Sequence, residues 1–205
     1  MIKNIVFDMG QVLMHWSPKL LTKDFELSEE EKTVLEREVF KGIEWIQVDR
    51  GAITTDMAYE SISKRLPESL HIYARDILYD WWKKPIIPME GMADLIKQLK
   101  SEGYDIFLLS NASLALRSYF NRIPGSEYFD GIFVSAEHRY LKPQFEIYNR
   151  FFDTFGLVPS ECLFIDDKPE NIEGAGCVGM DGIVFFGDVN RLRRELEEKI
   201  KNKAI

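Results

Sequence analysis

Five short apolar runs recur along the chain, and stretches with helical periodicity separate them. The runs are "NIVF" at residues 4–7, "YDIFLL" at 104–109, "GIFV" at 131–134, "CLFI" at 162–165 and "GIVFF" at 182–186. Apolar runs without polar alternation are typical of strands that are buried on both faces of a parallel sheet. The sequence therefore predicts an α/β fold, with a Rossmann-like, doubly wound parallel sheet as its core.

One long interval interrupts this alternation of strands and helices. Residues 17–88 have helical periodicity throughout and offer no convincing strand. Ser28 is a predicted helix N-cap followed by acidic residues, and two prolines and a glycine in "KPIIPMEG" indicate a boundary. We therefore predict an α/β core domain formed by residues 1–16 and 89–205, with a helical domain of residues 17–88 inserted into it. The charged residues 190–203 predict a solvated closing helix.

Composition limits the partners that the chain can have. Its 205 residues are 45% hydrophobic, and 34 acidic against 26 basic residues give a formal charge of −8. Nucleic-acid binding, which needs a basic surface, is therefore not expected. The two cysteines form no CxxC pair, and no apolar stretch approaches the roughly 20 residues that span a membrane. We expect a cytoplasmic protein, monomeric or dimeric, without a membrane partner.

Polar residues follow four of the predicted strands. They are Asp8 after the first strand, Ser110 and Asn111 after the second, Lys142 after the third, and Asp166 and Asp167 after the fourth. Ligands of open parallel sheets bind at the carboxyl ends of the strands, where these residues are expected to meet. Each residue alone could be a turn, cap or surface residue, but their coincidence at successive strand ends indicates a site.

This set of side chains is suited to phosphoryl transfer. An aspartate is ionised at neutral pH, so Asp8 can act as a nucleophile without a base to activate it. Mg²⁺ bound by Asp8 and Asp167 would reduce the repulsion between that nucleophile and an anionic substrate. Lys142, the Ser110 hydroxyl and the N–H groups around Asn111 could hold the phosphoryl oxygens. We therefore predict transfer from a small phosphorylated substrate to Asp8, followed by hydrolysis of the aspartyl phosphate.

Four motifs resemble those of a known family. "VFDMGQVL", "LLSNAS", "LKPQFEIY" and "LFIDDKPENIEGA" are similar, in this order, to the motifs of the haloacid dehalogenase-like hydrolases. Residues 17–88 are similar to the mobile cap of that family, and we call them the cap segment. The resemblance implies the following roles: Asp8 as nucleophile and metal ligand, Ser110 and Lys142 as phosphoryl-binding groups, Asp167 as a Mg²⁺ ligand, and Asp166 and Asn171 as supports of the metal shell.

The chain departs from the family pattern at Gly10. Phosphatases of the family generally have a second aspartate there, whose carbonyl helps to hold the metal and whose side chain protonates the leaving alcohol. Gly10 keeps the carbonyl but lacks the acid, which is typically worth about 10²–10⁴-fold in rate. We therefore predict a substrate with a good leaving group, such as a sugar 1-phosphate or an acyl phosphate. His15 is a candidate replacement acid, and the glycine could also serve only the turn.

The cap stretch "VDRGAITTDMAYESI" agrees with this prediction. It is similar to the bacterial subgroup that dephosphorylates glucose 1-phosphate. Trp45, Trp81 and Trp82 could line a substrate pocket in the cap segment. Packing in its core is the favoured role, because aromatic residues at helical spacing are more often core than ligand-binding residues.

Two other functions are compatible with parts of the sequence. Dehalogenases of the family also lack an acid at the position of Gly10, but they need no Mg²⁺ and generally lack paired acids like Asp166 and Asp167. A non-catalytic protein that binds phosphorylated metabolites is the second alternative, against which Asp8, Lys142 and Asp167 argue.

Overall fold

A five-stranded parallel sheet forms the centre of the computed structural model, which describes residues 1–202. Its strands are β1 (Asn4–Phe7), β2 (Asp105–Ser110), β3 (Gly131–Val134), β4 (Cys162–Asp166) and β5 (Asp181–Val184). Their order across the sheet is β3-β2-β1-β4-β5, and every neighbouring pair is parallel. The predicted doubly wound parallel fold is thus confirmed, with strand boundaries that shift by one or two residues in β2, β4 and β5.

Eleven α-helices accompany the sheet in the described part of the chain. They are α1 (Pro18–Thr22), α2 (Glu29–Leu35), α3 (Ile43–Asp49), α4 (Thr55–Ser63), α5 (His71–Asp80), α6 (Met92–Ser101), α7 (Leu116–Tyr119), α8 (Ser135–His138), α9 (Phe145–Phe155), α10 (Pro169–Cys177) and α11 (Val189–Asn202). Helix α11 matches the predicted closing helix, whose residue 203 lies outside the described residues. None of these helices combines the length and the apolar character needed to cross a bilayer.

Helices cover both faces of the sheet because successive strand residues point to opposite faces. Ile5 and Phe7 of β1 pack in a cluster with α6 and α11, whereas Val6 packs in a second cluster with α9 and α10. All four residues of β1 are buried. This double burial explains why the strand sequences are continuously apolar.

The cap segment has a hydrophobic cluster of its own, which includes Leu35, Ile62 and Ile77. Ser28 caps α2 as predicted, because its hydroxyl and the Glu31 carboxylate each accept a backbone N–H of the other residue. A π-helical turn (Glu36–Phe40) continues from α2 and ends at Lys41, and α3 begins after Gly42. The division into core and cap domains remains a prediction, which this separate cluster supports.

Two chain crossings join the cap segment to the sheet, and they lie side by side. The N–H of His15 donates to the carbonyl of Ile87 at 2.9 Å, and the N–H of Met89 donates to the carbonyl of Leu13 at 2.9 Å. The two ends of the cap segment are therefore held side by side by hydrogen bonds to each other, just after β1.

The end of α3 rests directly on the core. The Ser135 hydroxyl, just after β3, donates to the carbonyl of Asp49 at 2.5 Å. Gly51 has a φ of +69°, and a Cβ there would lie only 2.1 Å from the carbonyl oxygen of Ala136. Only glycine permits this close approach. The cap segment is thus held over the carboxyl ends of β2 and β3.

Candidate active site

Lys142 lies between two carboxylates at the carboxyl edge of the sheet. Its Nζ is 2.8 Å from Oδ1 of Asp8 and 2.6 Å from Oδ2 of Asp166, and it donates to the carbonyl of Leu109 at 2.9 Å. The Lys142 side chain is only 1% exposed. Burial alone lowers the pKa of a lysine, but the two carboxylates outweigh burial and raise the pKa of Lys142. The lysine is therefore a fixed positive charge beside Asp8.

The main chain of Lys142 is held by Asn111. The Asn111 side chain donates to the carbonyl of Lys142 at 3.0 Å and accepts the N–H of Lys142 at 2.9 Å. Lys142 follows the short helix α8 rather than the end of β3 itself, so this pair of hydrogen bonds returns it to the site. The Asn111 side chain is thus engaged by the protein, which leaves its backbone N–H for the predicted phosphoryl binding.

Asp166 is fully buried and organises the groups around it. The Asn171 side chain donates to both of its oxygens at 3.0 Å, and the N–H of Lys168 donates to Oδ1 at 2.8 Å. With Lys142 on Oδ2, both oxygens of Asp166 are hydrogen-bonded. These contacts are those expected of a supporting residue.

Three carboxylates converge at the site. Asp8, Asp166 and Asp167 each offer an oxygen, and these oxygens lie within 4.8 Å of one another. Burial raises the pKa of Asp8, although Lys142 opposes that shift. Burial, together with the charges of Asp8 and Asp166, raises the pKa of Asp167 to about 6. One lysine does not balance three carboxylates, and a cluster of hard oxygen ligands fits Mg²⁺.

A cavity of about 490 Å³ opens above this cluster, between the core and the cap segment. Every predicted site residue except the buried Asp166 lines it. Ser110, at the end of β2, is 2% exposed. The structure therefore brings the predicted residues together in one place with space for a substrate.

The cap wall of the cavity is largely apolar, with Ser17 and Asp49 as its polar residues. It includes Phe40, Trp45, Ile46, Leu78 and Trp81. Trp45 and Trp81 line the cavity and also pack against Trp16, so both roles that the sequence left open apply to them. Trp82 lies outside this wall and stacks on Tyr119. Helical periodicity separates buried from exposed faces, but it does not show which buried residue meets a cavity.

Asp49 is the ionisable residue of this wall, and the sequence reasoning missed it. It is half-buried at the end of α3 and lines the cavity. Burial raises its pKa to about 8, although hydrogen bonds from the Trp45 side chain and the Ser113 backbone, and the charge of Lys168, act in the opposite direction. Its position before the "RG" turn was the only signal in the sequence.

The structure also bears on the glycine where the family has an acid. A Cβ on Gly10 would meet nothing within 4 Å, and the φ of Gly10 lies outside the left-handed region. Neither packing nor backbone conformation therefore demands glycine there. His15, the candidate replacement acid, is exposed and is not among the residues that line the cavity.

The chain belongs to the haloacid dehalogenase-like hydrolases, because the model of that family matches residues 2–179. It is 30% identical over 188 residues to a sesquiterpene phosphatase of Aspergillus oryzae, a match that covers 88% of each chain. It is 26% identical over 186 residues to a D-ribitol-5-phosphate phosphatase of Bacteroides thetaiotaomicron, which covers 84% of this chain and 86% of the relative.

Solved structures of the same family share the fold. One is a haloacid dehalogenase family enzyme of Bacteroides thetaiotaomicron in complex with magnesium and inorganic phosphate. It superimposes with a TM-score of 0.64 at 23% identity, and the match covers 91% of this chain and 96% of that one.

The carboxylate cluster predicts a measurable effect of Mg²⁺ on stability. At about 100 times its Kd, a ligand that binds only the folded state adds about 2.7 kcal/mol to the free energy of unfolding. For a chain of this size that corresponds to a rise in Tm of roughly 5–10 °C. Differential scanning fluorimetry should show this rise for the wild type and for the exposed-site control Asp153→Asn. Asp167→Asn should show a much smaller rise, and an equal rise in all three proteins would contradict the predicted metal site.

Proposed function

We propose that this chain is a Mg²⁺-dependent phosphatase that cleaves small phosphate monoesters through an aspartyl phosphate on Asp8. The observation that carries the proposal is the placement of Asp8 beside the buried ammonium of Lys142, within a cluster of three carboxylates on the floor of a substrate-sized cavity. The two relatives described above are both named as phosphatases, and they support the same reaction.

Each site residue has a role in this proposal. Asp8 attacks phosphorus, while Lys142, the Ser110 hydroxyl and the Asn111 N–H bind the phosphoryl oxygens. Asp8, the Gly10 carbonyl and Asp167 would hold Mg²⁺. Asp166 orients Lys142, and together with Asn171 it orients the loop that carries Asp167. When bound, the Mg²⁺ supplies positive charge that offsets the carboxylates and the phosphoryl group.

The two alternatives fit the site less well. A dehalogenase needs no metal, so it has no use for three carboxylates whose oxygens lie within 4.8 Å of one another. A binding protein without activity would not require a nucleophilic carboxylate beside a buried lysine. The complete set of reactive groups in one cavity therefore favours catalysis.

The substrate class that we propose is a phosphate ester of an alcohol with an apolar carbon skeleton. The cap wall offers aromatic rings and aliphatic side chains to the leaving group, and burial of apolar area is worth about 25 cal/mol per Å². The sesquiterpene phosphatase relative is named for a substrate of this kind. A sugar 1-phosphate is the second candidate, favoured by the absence of an acid at Gly10; the relatives described above are named for other substrates.

Removal of the nucleophile tests the reaction. Asp8→Asn keeps the size of the side chain but loses the nucleophilic oxygen, so phosphate release from octyl phosphate should fall by at least about 10³-fold. Wild-type release should require Mg²⁺ and should stop with a chelator. Asp153→Asn, on the outer surface of α9, is the control and should match the wild type. Release by Asp8→Asn at the wild-type rate would contradict the proposal.

Two isoleucines of α3 test the substrate class. Both are exposed, Ile46 by 45% and Ile43 by 60%, but only Ile46 lines the cavity. Ile46→Ser should lower kcat/KM for octyl phosphate by about 10-fold, because apolar contact with the chain is lost. Ethyl phosphate, which is too short for that contact, should be affected much less.

The control for this test is Ile43→Ser, and the competing substrate is glucose 1-phosphate. Ile43→Ser should leave kcat/KM for octyl phosphate and for ethyl phosphate unchanged. A higher wild-type kcat/KM for glucose 1-phosphate than for octyl phosphate would contradict the apolar substrate class and would favour the sugar 1-phosphate.

A further inference from the structure

Asp49 is fixed to the core by its own main chain. Its carbonyl accepts the Ser135 hydroxyl at 2.5 Å, and Ser135 also accepts the N–H of Ala112 at 2.9 Å. The neighbouring Gly51 touches the carbonyl of Ala136 so closely that a Cβ would not fit. Although Asp49 belongs to the cap segment, its position relative to the sheet is therefore set by β3 and by the loop after β2.

The Asp49 side chain faces the groups that bind the phosphoryl end of a substrate. It accepts the backbone N–H of Ser113, which lies on the loop that follows Ser110. It interacts electrostatically with Lys168, the neighbour of Asp167, and with Tyr119 of α7, which also interacts with Asp8. Among the residues of the cap segment that line the cavity, Asp49 alone is ionisable.

Phosphate esters of ordinary alcohols need a proton donor, since an alkoxide is a poor leaving group. Gly10 supplies none, yet the cavity has open space beside it. We propose that Asp49 is the catalytic acid of this chain, supplied by the cap segment in place of a side chain at Gly10. The inference rests on the proposed phosphatase function and adds a residue to it.

The proton and the bonds balance over two steps. In the first, an oxygen of Asp8 forms a bond to phosphorus, the bond between phosphorus and the ester oxygen breaks, and that oxygen takes the proton of Asp49 to leave as the alcohol. In the second, the Asp49 carboxylate takes a proton from water as the water oxygen attacks phosphorus. The Asp8–phosphorus bond breaks, and inorganic phosphate, free Asp8 and protonated Asp49 result.

The protonation state of Asp49 agrees with this role. Burial raises its pKa to about 8, so it carries its proton at neutral pH and loses it as the pH rises above that value. The Trp45 side chain and the Ser113 N–H both donate to Asp49, so the proton of the acid stays available for a group in the cavity. Cleavage of alkyl phosphates should therefore decline above about pH 8.

The test compares two leaving groups in one variant. The ester oxygen of octyl phosphate must take up a proton as it leaves as octanol, whereas p-nitrophenolate leaves p-nitrophenyl phosphate as a stable anion. In the Mg²⁺-loaded full chain, Asp49→Asn should lower kcat/KM for octyl phosphate by about 10²–10⁴-fold. The same variant should keep kcat/KM for p-nitrophenyl phosphate within about 5-fold of the wild type, because kcat/KM reports the first step and not the second, in which Asp49 acts as a base. This retained activity also shows that the variant is folded and holds Mg²⁺.

Controls separate the acid from a structural role. Asp24→Asn changes an exposed aspartate of the cap segment and should match the wild type on both substrates. Asp49→Glu keeps an acid and should retain far more octyl phosphate cleavage than Asp49→Asn. The decline of wild-type octyl phosphate cleavage above about pH 8 should be absent from the residual activity of Asp49→Asn.

The outcomes that contradict the inference differ from those that contradict the phosphatase function. Equal losses of kcat/KM on both substrates, or a kcat/KM for octyl phosphate within about 3-fold of the wild type, would show that Asp49 is not the acid. Failure of the wild type to cleave either substrate, or wild-type activity in Asp8→Asn, would instead contradict the phosphatase function and the inference with it.

Discussion

The site depends on the ammonium of Lys142 being held between Asp8 and Asp166. A buried ammonium costs several kcal/mol unless it is paired, and here two carboxylates and the Leu109 carbonyl accept its three protons. The sheet makes this pairing possible, because Phe7 of β1 is in register with Ile165 of β4. The aspartates that follow these two residues therefore emerge side by side, and the lysine joins them.

The cap segment forms one wall of the cavity above this charged cluster. Its aromatic and aliphatic side chains face the carboxylates across the cavity, and an apolar surface beside charges lowers the local dielectric constant and strengthens the interactions between them. The contacts of Ser135 and Gly51 hold the end of α3 in place over the sheet. In the function proposed here, the core supplies the nucleophile and the metal ligands, while the cap segment supplies the leaving-group surface and the acid.

The sequence was sufficient to predict the sheet and the residues that meet at its edge, because both depend on local patterns. Continuous apolar runs mark buried strands, and the parallel topology brings their carboxyl ends together. The position of Asp49 depends instead on how the cap segment docks, through a contact between Gly51 and Ala136 that no periodicity encodes. Gly10 illustrates the same limit of sequence patterns. The sequence shows that no acid stands at this position, but it does not show that Asp49 lies on the opposite wall of the cavity.

The stereochemical course at phosphorus tests the central claim most directly. Attack by Asp8 and then by water involves two displacements, each of which inverts the configuration at phosphorus. With octyl phosphorothioate made chiral at phosphorus by two different oxygen isotopes and hydrolysed in water that carries the third stable oxygen isotope, the inorganic thiophosphate should therefore show net retention. Net inversion would mean that water attacks the substrate directly, and it would contradict an aspartyl phosphate on Asp8.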